Sequence, residues 1–204
     1  MAGMQELDRR IKSVKNTQQI TRAMRLVAAA KMRKAEVRAQ NAHPYWEAIH
    51  DVLARTARQH VAGMDVLNGR PVQHTAMVVV TSTRGLAGPH NVNVLREARQ
   101  HMERIHELHP EIIAVGRKGR DYFKHRDFSL LAQFPELGDE PTLNDAQSIA
   151  QEVMAGFASG RVDQVFLTYT EFVNAMSYKP RTIRLLPVEP PEGPAETYTL
   201  NFEP

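Results

Sequence analysis

"RAMRLVAAAKMRKAE", residues Arg22 to Glu36, decides how this chain is read. Three consecutive alanines lie between a Leu-Val pair and a cluster of lysines and arginines. Alanine, leucine, arginine, lysine and methionine are all strong helix formers, so the segment is predicted to be helical. The same signal runs outward: from Gln5 to Gln59 there is no glycine and a single proline, Pro44. Proline disfavours helical backbone in the residue before it, which predicts a break or kink near Asn41 to Pro44.

Within this span a 4-3 rhythm runs from Leu7, Ile11 and Val14 through Gln18, Thr21 and Arg25 to Ala28, Met32, Ala35, Ala39, Ala42, Trp46, Ile49, Leu53 and Thr56. A 3.5-residue apolar repeat held this long predicts a left-handed coiled coil with at least one other helix. The alanines at seam positions permit close approach of that partner's backbone. Where the seam turns polar, Ile20, Met24 and Val27 form a second apolar row on another side. A helix up to Pro44 alone would run roughly 60 Å. The remaining residues make a body with a radius of gyration of only about 15 Å, so the rod is expected to overhang it and to need a partner.

Charge divides along the same line. The chain has 204 residues and a net charge of +3, but residues 1–40 hold ten Lys and Arg against three acids, which leaves a slightly acidic remainder. At 100° per residue the ten basic side chains fall all round the helix, with no gap above about 60°. A groove-binding helix gathers its charge on one side, so this distribution suits a rod seated inside a ring of partners better than one lying on nucleic acid. Basic zipper regions are also charged nearly all round, and a basic coiled-coil nucleic-acid-binding protein stays open as an alternative.

After the Val61 to Pro71 loop, with Gly63, Gly69 and Pro71, the pattern changes. "TAMVVVTST", Thr75 to Thr83, is a β-branched run of buried-strand length. A helix from about Asn91 to Leu108, a strand over Glu111 to Gly116, a short helix in "KGRDYFKHR" and a helix over Asn144 to Gly160, N-capped by Asn144, are expected to follow. Val162 to Phe172 and Thr182 to Val188 read as an antiparallel pair. This alternation predicts an α/β fold: a long N-terminal coiled-coil helix over 1–60, kinked near 44, attached to a Rossmann-like domain with a mostly parallel sheet over 72–204.

No catalytic constellation emerges. The chain has no cysteine, which excludes disulfides, thiolate metal sites and cysteine nucleophiles. His106 and His109 are the one close histidine pair and lack a third ligand, so no metal site is expected. The Gly85-Leu86-Ala87-Gly88 loop lies where a doubly wound fold would cradle a phosphate, but its spacing is neither a dinucleotide nor a P-loop fingerprint. Asp121, Asp127, Asp139, Glu140 and Asp145 read as surface acids, and Phe166, Tyr169, Phe172 and Tyr178 as packing residues. A nucleotide-dependent α/β enzyme is the remaining alternative. No apolar run reaches the roughly 18 residues of a membrane span and no signal-peptide core is present, so a soluble intracellular protein is expected.

"RRIKSVKNTQQITRAMRLVAAAKMRKAE", Arg9 to Glu36, closely resembles the N-terminal helix of the gamma subunit of F-type ATP synthases. The likeness continues in order through "TSTRGLAGPHNVNV" (Thr81 to Val94), "AVGRKGRDYF" (Ala114 to Phe123), "FLTYTEFVNAMSYKPRTIRLLPV" (Phe166 to Val188) and the terminal "NFEP". Thr83 and Pro89 depart from the family pattern, which more often has an aspartate and a small residue there. Family members continue past the position of Pro204 into a second long helix antiparallel to the first, so this chain is expected to be the N-terminal part of a longer subunit or a shortened form of one.

The resemblance implies a central-stalk rotor subunit that transmits torque between a membrane c-ring and the catalytic alpha/beta hexamer. It implies no active site and no cofactor of its own, and a peripheral place on the cytoplasmic face of the cell membrane. The partners it implies are the alpha and beta subunits, the epsilon subunit and the c-ring. By matching segments, Arg9, Lys12, Lys15, Arg22, Met24, Arg25 and Arg84 are expected to face the hexamer. Leu7, Ile11, Val14, Ala28, Met32, Ala35 and Ala39 form the seam. His43, Pro44 and Tyr45, with Leu200, Phe202 and Glu203, are expected at the foot that meets the c-ring.

Overall fold

The structure is a computed structural model, described for residues 2–57, 66, 69–107, 109–138, 140–174 and 177–188. The chain divides into two compact units, Met1–Val52 and Leu53–Pro204.

The first unit is helix. Helix α1 spans Ala2–Ala57, 56 residues, with Pro44 inside it. The break expected near Asn41 to Pro44 is absent. Pro44 removes one backbone donor, a loss of roughly 3 kcal/mol in a helix interior. Good helix formers on both sides, Arg38, Ala39 and Gln40 before it and Glu47 and Ala48 after it, carry the helix through. Apart from half-buried Glu36, the described side chains of α1 are exposed. Arg10 donates to Glu6 one turn back at 2.7 Å.

The second unit is built on one five-stranded sheet. Its elements are β1 (Thr75–Val80), α2 (His90–Arg104), β2 (Glu111–Val115), α3 (Arg117–Lys124), β3 (Leu130–Phe134), α4 (Leu143–Ala158), β4 (Gln164–Asn174) and β5 (Ser177–Leu186). Strand order is β3-β2-β1-β4-β5. The first four strands are mutually parallel and β5 runs antiparallel to β4.

Period-two alternation along β1 explains the layers. Met77 and Val79 join Val94, Leu95, Ala98, Met102 and Phe123 on the face covered by α2 and α3. Ala76 and Val78 join Val153, Phe157, Val162 and Leu186 on the face covered by α4. Both faces of the inner strands are therefore buried, as a parallel sheet requires.

Several local expectations change. Strand β3 has no counterpart in the sequence reading, and β5 begins at Ser177 rather than Thr182, with Pro180 opposite Thr170. An edge strand tolerates a proline because its missing donor need not face a neighbour. Phe172 and Tyr178 are paired across the β4-β5 hairpin but stand 41% and 49% exposed, so they are not core. Phe166 is buried, as expected. Helix α4 is capped by Thr142 rather than Asn144: the Thr142 hydroxyl accepts from the Asp145 amide, and the Asp145 carboxylate accepts from the Thr142 amide. That donation from the Thr142 backbone holds the Asp145 carboxyl below its usual range. Replacing Thr142 with alanine removes the reciprocal cap and is expected to cost about 1 kcal/mol. Faster amide exchange over residues 143–147 in the variant would register the loss.

Candidate functional site

The exposed surface of α1 is the first candidate. Leu7, Ile11, Val14 and Met32 of the 4-3 stripe stand 45–68% exposed. Ala28, Ala35 and Ala39 are also exposed, leaving a shallow strip of small side chains between larger ones. The second row is present too: Ile20, Met24 and Val27 are each more than half exposed. Exposed apolar rows of this kind are characteristic of interaction surfaces. Between the two apolar stretches the seam is polar. Thr17 donates to the Ser13 carbonyl at 3.0 Å and Thr21 to the Thr17 carbonyl at 2.8 Å, so both hydroxyls are occupied by their own helix.

Arg9, Lys12, Lys15, Arg22 and Arg25 are exposed on this helix together with Met24. His43, Pro44 and Tyr45 are exposed as well, with the His43 ring 3.5 Å from Glu47 and its centroid 6.0 Å from that of Trp46, the two planes tilted by 55°. Leu200, Phe202 and Glu203 lie outside the described residues.

The second candidate is the loop between β1 and α2, which bears Arg84. It leaves the carboxyl end of β1 beside β4, where the strand order reverses and where open α/β sheets usually hold ligands. Here the start of the loop is bonded internally. The Ser82 amide donates to Asn91 Oδ1 at 2.9 Å, and the Ser82 hydroxyl donates to the Arg84 carbonyl at 2.6 Å. The Thr81 hydroxyl donates to the Val115 carbonyl at 3.1 Å and accepts from the Gly119 amide at 2.8 Å. Gly116 packs so closely that a Cβ there would lie 2.2 Å from the Thr81 carbonyl oxygen. Pro89, at the N-cap of α2, offers no amide and makes no side-chain cap. A turn stitched to α2 through Asn91 and to α3 through Gly119 occupies the switch point.

That turn presents Arg84 and Leu86 to solvent. Leu86 is 94% exposed at φ 61°, a left-handed conformation that leucine rarely adopts. The sequence reading passed over it, although a leucine between two glycines in a turn is an available signal. Among the described residues no group of three His, Asp or Glu side chains is placed to hold a metal ion. No described helix is long and apolar enough to cross a membrane.

A sequence model of the family described as ATP synthase matches residues 3–204. The chain is 42% identical over 206 residues to a protein named ATP synthase gamma chain from Desulfitobacterium hafniense, covering all of this chain and 72% of that one. It is 43% identical over 204 residues to the ATP synthase gamma chain of Roseiflexus castenholzii, covering 96% of this chain and 69% of the relative. In structure it is similar to a chain in the Tetrahymena thermophila mitochondrial ATP synthase central stalk and c-ring, with a TM-score of 0.65 and 24% identity over 82% of this chain and 72% of that one. That last likeness speaks to the fold.

Proposed function

Because the chain belongs to the ATP synthase gamma-chain family, we propose that it is the rotor of a rotary F-type synthase. In this reading it carries torque between the membrane c-ring and the alpha/beta hexamer and performs no chemistry itself. One observation carries the reading: a helix of 56 residues that leaves its apolar stripe in solvent and wears basic side chains on every side. The stripe of Leu7, Ile11, Val14, Ala28, Met32, Ala35 and Ala39 would pack against the family's second long helix. Arg9, Lys12, Lys15, Arg22, Met24, Arg25 and Arg84 would face the hexamer. His43, Pro44 and Tyr45 would meet the c-ring, with the epsilon subunit beside the α/β body, on the cytoplasmic face of the membrane.

Mechanically this is allostery by rotation. A shaft that touched the catalytic subunits equally in every orientation would shift no equilibrium; only differential contact can favour one conformation over another. The non-uniform surface of α1 supplies that difference: apolar at Met24 and Val27, cationic at Arg22 and Arg25, small at Ala28 to Ala30.

Co-expression with the alpha and beta subunits of its assembly tests the reading. One copy of the chain is expected per hexamer, and Arg22→Glu with Arg25→Glu should lower ATP turnover of the assembled complex by about tenfold or more. Saturable nucleotide binding by the isolated chain, or DNA binding that weakens steeply with salt and no hexamer association, would replace the rotor with one of the other two readings.

A further inference from the structure

Helices α2 and α3 frame a groove of about 440 Å³ on the body. Val92, Leu95 and Tyr122 give it an apolar floor, and Arg96 and Arg99 flank it. Helix periodicity explains the arrangement. Val94, Ala98 and Met102 face the sheet, whereas Val92, Arg96, Arg99 and Glu103 recur at four- and three-residue steps along the outer side. Val92 stands 58% exposed.

The other arginines of α2, of α3 and of the turn after it are engaged. Arg104 binds Glu97 at 2.6 Å, Arg117 binds Glu136 at 2.8 Å, and Arg120 binds Asp121 at 2.6 Å. Arg126 lies over the Tyr122 ring at 3.8 Å. Arg96 and Arg99 differ: neither has an acceptor or a ring partner among the described residues. Arg99 precedes Glu103 by four residues, the less favourable order for a helical ion pair, and the two remain apart.

We propose that this groove docks an acidic amphipathic segment of a partner protein, with carboxylates on Arg96 and Arg99 and an apolar side chain on Val92, Leu95 and Tyr122. Two unpaired guanidiniums beside exposed carbon complement such a segment in both charge and polarity. The groove runs open along α2 with Tyr122 of α3 at its side, whereas small-molecule sites enclose most of their ligand. Glu103 at its end repels a uniformly anionic lipid surface, but in a segment it takes a basic or amide residue and so sets direction.

The probe is a synthetic helical peptide of leucine and glutamate in amphipathic spacing, titrated against the full chain with methyl NMR signals of Val92 and Leu95 as the local readout. The basic helix α1 also attracts acidic peptides, so only these signals report on the groove. Saturable shifts are expected with the acidic peptide, weakened about tenfold in the Arg96→Glu, Arg99→Glu double variant. Both sites are exposed, so the variant should keep the wild-type melting temperature. Equal shifts with a lysine-leucine peptide, saturation by inorganic phosphate alone, shifts only with anionic vesicles, or no shift at all would each overturn the proposal.

Discussion

The chain carrying Gly116→Val does not fold its α/β body. Gly116 sits at φ 91° and ψ 144°, between β2 and α3, in a region of backbone space that is close to glycine-only. Placing an L side chain there costs about 1–3 kcal/mol in backbone strain. Sterics add to this, because the nearest atom to a built Cβ is the Thr81 carbonyl oxygen at 2.2 Å, with the Thr81 carbonyl carbon and hydroxyl at 2.8 Å. None of these is the free end of a flexible side chain. The Thr81 amide bonds the Val115 carbonyl at 2.8 Å, and the Gly116 amide bonds Phe134 at 2.8 Å, so both backbones are fixed. Overpacking of this kind adds about 1–3 kcal/mol for one methyl and more for valine.

The total approaches the whole stability of an ordinary domain, about 5–15 kcal/mol. Gly160→Ala separates the two contributions. Gly160 has φ 74° with nothing within 4 Å of its built Cβ, so the substitution meets strain alone and should cost about 1–2 kcal/mol. Urea titration is expected to show no unfolding transition of the body in Gly116→Val, and a lower midpoint for Gly116→Ala than for the Gly160→Ala control. Equal midpoints for Gly116→Ala and Gly160→Ala would show that Thr81 yields, and the argument for a stitched loop would go with it.

What the sequence revealed depends on how local each cause is. The α1 stripe was legible because helical periodicity is written in residues three and four apart, and β1 because a buried parallel strand is a continuous β-branched run. Strand β3 was invisible: none of the five residues in "LLAQF" is fully buried, so neither alternation nor a core run marks it, and only pairing with β2 makes it a strand. Similarly, "SYKPRT" reads as turn, but its position opposite β4 recruits it into β5. Phe172 and Tyr178 look like core by composition and are exposed because the hairpin extends beyond the helices' cover. The α4 cap was misplaced by two residues because the reading weighed Asn144 alone rather than the reciprocal Thr142 and Asp145 pair. The α2-α3 groove could not be foreseen, since Arg96 and Tyr122 belong to different helices and meet only through packing. Assigning Arg22 or His43 to a partner needs surfaces that a single chain does not contain.

Asp163→Asn is expected to destabilise the body by about 3 kcal/mol at neutral pH, the scale of breaking a buried, hydrogen-bonded charge pair. Asp163 is 6% exposed and its carboxylate joins the segment that leads into β1 to the start of β4. One oxygen accepts from the Gln73 and His74 amides, each at 2.9 Å, and the other from Arg70 Nε at 2.5 Å. The Arg70 guanidinium also donates to the Phe157 and Val162 carbonyls and lies 4.6 Å over the Phe157 ring. The two backbone donors, with Arg70 as a further contributor, hold the carboxyl pKa at about 2 against burial, which pushes the other way. Because the folded value lies below the unfolded value near 3.8, this group's stabilisation is fully present above about pH 4 and is lost as pH falls through about 2. The stability gap between wild type and Asp163→Asn should therefore be widest at neutral pH and narrow steadily from about pH 4 to about pH 2. Arg70→Lys should fall between them, since it keeps the charge but loses the fork and the ring contact. Chemical unfolding at graded pH reads all three. A gap that stays constant through the acid range would mean that the carboxylate's partners do not lower its pKa, and that the Asp163 clamp holds by shape rather than by charge.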